Sequence, residues 1–170
     1  MKENSASYTV GVLSDTHGSL RPEVLKIFRE VDMIVHAGDI GSIEVIEGLR
    51  KVAPVVAVRG NMDYQRWADS LPVSELVELG EVLLYVLHDR ALLDLDPAAA
   101  GISAVISGHT HRAAVEQRGG VLYVNPGTAG PFRGPTSVAL LRITGKQVQA
   151  QVMRLDQEDS SVRKRGGSLK

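Results

Sequence analysis

Short apolar runs that stop abruptly at metal-capable side chains recur along this chain, and the recurrence constrains what it can fold into. Tyr8 to Leu13 leads through Ser14 into Asp15-Thr16-His17-Gly18, and Met33 to Ala37 leads into Gly38-Asp39. Val55 to Val58 leads through Arg59 into Gly60-Asn61-Met62-Asp63, Val82 to Leu87 ends at His88, and Ala104 to Ser107 ends at Gly108-His109-Thr110-His111. Each run has strand length. In α/β sheets ligands bind in the crevice outside the carboxyl ends of the strands. Side chains alternate in an extended chain, so Asp15 and His17 are expected to point the same way from one strand end. His109 and His111 are expected together on another.

Between these runs the periodicity changes. Pro22 suits a first helical turn, and Val24, Leu25, Ile27, Phe28 and Val31 follow at helical spacing. Ser42 is an expected N-cap for a second helix marked by Ile43, Val45, Ile46 and Leu49 and ending near Lys51. Strand, helix, strand, helix, strand implies a parallel sheet with helices packed on it. From Pro72 the pattern turns to hairpins: Val73–Leu79 with Glu81–Leu87 around Gly80, Ala113–Gln117 with Val121–Val124, and Ser137–Ile143 with Gln147–Met153 around Gly145. Asp96-Pro97-Ala98-Ala99-Ala100-Gly101 carries the signature of a short helix. The fold class is α/β (α+β), with two packed sheets and helices outside.

At 170 residues the chain suits one domain with its own core. We expect that domain to occupy 1–153 and a polar, mobile tail to occupy 154–170. The chain has no cysteine, so thiolate metal sites and disulfides are excluded. Met1 to Ser7 lacks the apolar core of a signal peptide, and no run reaches the ~18 apolar residues of a membrane span. A soluble, cytoplasmic protein is expected, with no membrane partner. The net charge of −1 advertises no basic groove for nucleic acid. Arg163-Lys164-Arg165 in the tail leaves a nucleic-acid contact open, and a homo-oligomer is open too.

Asp15, His17, Asp39, Asn61, His88, His109 and His111 offer only oxygen and imidazole nitrogen donors. Seven donors exceed what one tetrahedral ion uses but suit two ions sharing a carboxylate. Two divalent ions against two carboxylates leave a surplus of roughly two positive charges, which favours an anionic substrate. The set Asp15-x-His17, Gly38-Asp39, Gly60-Asn61-x-Asp63, His88 and Gly108-His109-x-His111, taken in order, resembles the calcineurin-like metallophosphoesterase superfamily. The compact length and Asn125-Pro126-Gly127 resemble its small prokaryotic phosphodiesterase branch.

The resemblance spans Tyr8 to about Met153 and implies two mixed central sheets packed face to face, with helices on both outer faces. It implies one ion held by Asp15, His17, Asp39 and His111 and a second held by Asp39, Asn61, His88 and His109. Asp39 bridges, and a hydroxide between the ions attacks phosphorus in line. Asn61 also touches a phosphate oxygen. The implied ions are Mn²⁺ first, or Fe²⁺, Ni²⁺, Co²⁺ or Zn²⁺. The implied substrate is a small phosphodiester or other phosphoester.

The chain departs from the family pattern twice. Many family phosphatases carry a histidine directly after the Asn, where it protonates the leaving group; here that position is Met62. The usual His-Gly-His reads His88-Asp89-Arg90, so the first histidine remains and a charged pair follows. Arg90 either binds phosphate or pairs with Asp89. The main reading is a dinuclear phosphodiesterase; phosphomonoesterase, nuclease and non-catalytic scaffold are the alternatives. His36 reads as a buried, hydrogen-bonded histidine rather than a ligand. Asp63 either orients a neighbour at the site or caps the turn after Gly60. Trp67 and Tyr64 are packing residues or the lining of a pocket, and Arg59, Arg66, Arg112 and Arg133 are loop arginines near the motifs.

Overall fold

The computed structural model describes residues 6–156. Strands β1 (Ser7–Leu13), β2 (Met33–His36) and β3 (Val55–Ala57) run parallel, joined by helices α1 (Pro22–Ile27) and α2 (Ile43–Arg50). The hairpin β4 (Ser74–Leu79) and β5 (Val82–Leu87) follows, then β6 (Ala104–Ile106) and the hairpin β7 (Ala114–Arg118) and β8 (Val121–Asn125). The last hairpin is β9 (Ser137–Thr144) and β10 (Gln147–Arg154). One five-stranded sheet has the order β10-β9-β1-β2-β3 and the other β4-β5-β6-β8-β7. Both are mixed: antiparallel strands flank the parallel trios β1-β2-β3 and β5-β6-β8.

The sheets pack face to face because each strand alternates. Val10 and Val12 of β1, Ala139, Leu141 and Ile143 of β9, and Leu84, Val86, Ile106 and Val124 of the second sheet fill the space between them. Leu13, Ile34 and Val138 point the other way, onto Val24, Phe28, Ile46 and Leu49 of the helical layer. Fully burying each of the Val, Leu, Ile and Phe side chains among these contributes about 1.5–3 kcal/mol. The interleaved order brings the carboxyl ends of both parallel trios to one rim.

The outer face of the second sheet differs from expectation. Among the described residues the α-helices cover only the first sheet. Leu83, Tyr85, Val105, Val121 and Tyr123 are covered instead by the segment 88–103, through Leu93 and Ile102. The helix expected over Asp96–Gly101 is a single hydrogen-bonded turn. Asp96 Oδ1 accepts from the N–H groups of Ala98 and Ala99, and its carbonyl accepts from Ala100. Gly101 then turns left-handed at φ +74°, and the Ile102 N–H closes onto the Pro97 carbonyl. Capping and stop signals lie so close together that no second turn forms.

At the C-terminal side β10 includes Arg154, and Leu155 is buried. The Asp156 carboxylate accepts from the Thr136 N–H and hydroxyl and from Arg21, bonds that hold its carboxyl below the usual carboxylate range. Arg163-Lys164-Arg165 lies outside the described residues.

Candidate metal centre

The loops leaving β1, β2, β3, β5 and β6 converge at the shared rim. The convergence does not come from strand alternation. Asp15, His17, Asp39, His109 and His111 all have left-handed backbone, with φ of 57°, 46°, 54°, 68° and 59°. Among the described residues they are the only non-glycine residues with positive φ. A left-handed L-residue costs about 1–2 kcal/mol, and such strain gathers at functional sites. Here it is held by hydrogen bonds between loops. The Asp15 N–H donates to the Gly38 carbonyl, the His17 N–H to that of Asp39, and the Gly18 N–H to that of Ile40. Thr128 Oγ1 and the Gly130 N–H donate to the Asp15 carbonyl. Two loops also approach too closely for any side chain: a Cβ on Gly60 would collide with Asp39, and one on Gly108 with Ser14.

The donor atoms form two groups that share Asp15: Asp15 with His17 and His111, and Asp15 with Asp39 and His88. Asp15 Oδ1 lies 3.2 Å from His111 Nε2, 3.9 Å from His88 Nε2 and 4.0 Å from His17 Nε2. The Nε2 atoms of His17 and His111 are 3.4 Å apart, as are Asp39 Oδ2 and His88 Nε2. Donors about 2.0–2.1 Å from a tetrahedral ion stand roughly 3.3–3.4 Å from one another. Asp15 Oδ2 accepts from Ser14 Oγ and the His109 N–H, whereas the buried Oδ1 has no hydrogen-bond partner among the described residues. A buried carboxylate oxygen without a partner costs free energy that a cation would recover. The donor spacing and this oxygen both fit a metal ion.

Asn61 Oδ1 lies 3.0 Å from His88 Nε2 and 3.1 Å from His109 Nδ1. His88 Nδ1 sits 2.7 Å from the Ala37 carbonyl, which fixes that nitrogen as the donor and turns Nε2 toward the carboxylates. Burial pushes the His88 imidazole down, but its bonds to Asp39 and Ala37 outweigh burial and its pKa is raised. Burial pushes the Asp39 carboxyl up, but bonds from His88 and the Met62 N–H leave it below the usual range.

A pH prediction follows from these two directions. A raised His88 pKa gives stability that is complete below its unfolded value and lost as pH rises through the folded one; a lowered Asp39 pKa gives stability that is lost as pH falls through it. His36, whose lowered pKa favours the fold at the higher pH, works the other way. The His88 contribution is therefore read by difference: on going from about pH 6 to about pH 9 chelator-treated wild type should lose melting temperature relative to His88→Gln, while metal affinity, which needs neutral Nε2, rises over the same span. Melting curves and calorimetric proton release on metal addition test this. The same pH dependence of melting in wild type and His88→Gln would contradict it.

The surrounding residues hold this arrangement. Asp63 is buried: Oδ2 accepts from the Ile40 and Gly60 N–H groups and Oδ1 from that of Gly41, which closes the turn after Gly60 and ties the loop after β2 to that after β3. Asp63→Asn would set an amide against one of these donors, and an unpaired buried donor costs about 1–3 kcal/mol. The expected result is a melting temperature lower by about 5 °C, with weaker metal binding. An unchanged melting temperature in differential scanning calorimetry would refute the role. His36 is buried and not a donor to either group. Its Nδ1 accepts from the Gly38 N–H, so Nε2 carries the proton and donates to Thr16 Oγ1, which donates to the Ile40 carbonyl. Burial above all, then the nearby His88, lowers its pKa to about 3.

Asn125 Nδ2 donates to the Gly108 carbonyl and Thr110 Oγ1, supporting the loop that carries His109 and His111. Arg90 does not pair with Asp89. It bonds Glu116 and lies 4.1 Å over the Tyr123 ring, while Asp89 accepts from the Ala91 N–H and stands 3.8 Å from His109. Trp67 packs against the helical core, and Tyr64 and Arg59 line a cleft of ≈ 650 Å³ beside Asn61, His88 and His109. Ser14, Thr16, Thr128 and Phe132, whose ring meets His111 edge-on at 5.1 Å, carried no signal in the sequence.

The family model of the calcineurin-like phosphoesterase superfamily domain matches residues 9–146. The chain belongs to that superfamily. A probable metallophosphoesterase of Methanocaldococcus jannaschii is 32% identical over 161 residues, covering 87% of this chain and 82% of that one. The phosphodiesterase YfcE of Escherichia coli is 30% identical over 154 residues, covering 75% and 84%. The solved structure of vacuolar protein sorting 29 from Cryptosporidium parvum has the same fold at 18% identity, with a TM-score of 0.70 over 89% of this chain and 99% of that one. Among the described residues no helix is long and apolar enough to cross a membrane.

Proposed function

We propose that this phosphoesterase is a phosphodiesterase that works with two divalent metal ions. Asp15, His17, Asp39 and His111 would hold one ion and Asp39, Asn61, His88 and His109 the other, with Asp39 bridging. The observation that carries the reading is the buried, unpartnered Asp15 Oδ1, faced by three imidazoles. A purely structural role would leave the cost of that oxygen unanswered. Likeness to a named phosphodiesterase supports the reaction class. Imidazole-rich donor sets favour Mn²⁺, Fe²⁺, Co²⁺, Ni²⁺ or Zn²⁺ over Ca²⁺, and Mn²⁺ is our choice. When bound, the ions would supply a nucleophile from water near neutral pH and offset charge on the phosphoryl oxygens.

The chain's own residues do the rest. Asp15 and Asp39 fix the charge balance so that a monoanionic diester is attracted. Asn61 presents its amide nitrogen, which makes no hydrogen bond among the described residues, to a phosphoryl oxygen. The cleft of ≈ 650 Å³ receives one ester arm against Tyr64, Val73, Tyr85 and Leu92. Elemental analysis after Mn²⁺ loading should find close to two ions per chain, and loaded protein should cleave bis(p-nitrophenyl) phosphate. His17→Ala should weaken one ion and Asp39→Asn both. Metal content at background, or loaded protein inert toward aryl diesters, would overturn the proposal.

A further inference from the structure

Two clefts of opposite character meet at His109. The first, of ≈ 650 Å³, is lined by Tyr64, Val73, Tyr85 and Leu92 together with Asp69, Asp89 and Asp94, and has Arg59 as its one cation. The second, of ≈ 580 Å³, runs past His109 and His111 between Arg112, Arg133, Arg154 and Phe132, and no aspartate or glutamate lines it. Among the described residues none of these three guanidinium groups pairs with a carboxylate, although Arg21, Arg90 and Arg118 elsewhere do. The chain as a whole carries a charge of −1, so three arginines on one wall with no acidic neighbour in the lining are a local excess of positive charge. Like charges held together repel, and an anion between them relieves the repulsion. The planar guanidinium fork matches tetrahedral oxyanions.

The phosphoryl group undergoing reaction does not account for these arginines, because a diester carries one negative charge and two divalent ions already exceed it. On the phosphodiesterase reading, we propose that the arginine cleft seats an anionic arm of the substrate. The substrate class is then a phosphodiester bearing a second tetrahedral oxyanion, a phosphate or phosphonate, on one arm. Phe132, half exposed and edge-on to His111, forms the apolar floor beneath the linker of that arm. Asp69, Asp89 and Asp94 repel the same arm from the first cleft, which takes the uncharged, apolar or aromatic arm. The two clefts thereby fix which way round the diester lies.

The test compares two p-nitrophenyl phosphodiesters whose second arm is ethyl or 2-phosphonoethyl, with Mn²⁺. Wild type should favour the phosphonoethyl diester by about tenfold or more in kcat/KM, the scale of one or two hydrogen bonds to charged groups. That ratio should shrink as salt is raised from about 50 to 500 mM. It should collapse toward one in the double variant Arg112→Gln, Arg133→Gln and persist in Arg142→Gln, which lies on β9 outside the cleft. Equal cleavage of both diesters, or a preference that survives the double substitution, overturns the arginine cleft and leaves the phosphodiesterase reading intact. Cleavage of neither removes that reading. Calorimetry of chelator-treated protein with ethane-1,2-diphosphonate then judges the cleft alone: binding weakened about tenfold by the double substitution supports it, and no binding to wild type overturns it.

Discussion

Asp15→Asn is expected to strip the ion that Asp15 would hold with His17 and His111 and to weaken the second ion, whose His88 also faces Asp15. It should lower kcat/KM by well over 100-fold, while leaving the metal-free protein no less stable than wild type. Losing a partner one step removed from a metal already costs about 10- to 100-fold, and Asp15 stands in both groups. Its two oxygens have separate tasks. Oδ2 accepts from Ser14 and from the His109 N–H, and the carbonyl oxygen of an asparagine can take over both bonds. The amide nitrogen must then occupy the position of Oδ1, where it cannot coordinate a cation. That substitution also removes a buried negative charge on an oxygen without a hydrogen-bond partner, a cost the metal-free fold now bears. Stability and function should separate, as they do where a site is strained for its task. Elemental analysis, steady-state kinetics and melting of chelator-treated protein read the outcome. Two ions retained per chain would remove Asp15 from the site, and a melting temperature far below wild type would make its role structural.

Which residues gather at the rim was legible in the sequence, because apolar runs of strand length fixed the strands and each donor followed one directly. How they gather was not. The expected alternation of Asp15 and His17 along a strand fails, since β1 stops at Leu13 and both residues turn left-handed. That conformation is enforced by bonds to Gly38, Asp39, Thr128 and Gly130, partners far along the chain that no local pattern reveals. Arg90 shows the same limit. Its sequence neighbour Asp89 suggested a pair, but Glu116 and Tyr123 on the adjoining hairpin claim it. Hairpins were readable because Gly80, Gly119, Gly120 and Gly145 mark their turns, each with positive φ. The turn at Asp96–Gly101 misled because cap and stop residues signal a helix end without specifying the turns between.

Met62→His should accelerate poor leaving groups by about 10²- to 10⁴-fold, the usual worth of general acid catalysis, and activated aryl leaving groups far less. The argument starts from the ester oxygen. An alkoxide departs poorly without a proton, whereas an aryloxide leaves stably as an anion. Met62 follows Asn61, its N–H donates to Asp39 Oδ1, and its side chain is 50% exposed and unable to give a proton. No imidazole replaces it, because His88 and His109 both face Asn61, His17 and His111 face Asp15, and the buried His36 is held by Thr16 and Gly38. Wild type should therefore depend on the leaving group. It should also prefer an aryl diester to the matching monoester dianion, which adds negative charge against the attacking oxygen and lies near Asp89. Rates across a series of diesters with graded leaving-group acidity read this directly: the steep dependence of wild type should flatten in Met62→His. A uniform change along the series, or a wild-type preference for monoesters, would show that the missing acid does not set the specificity.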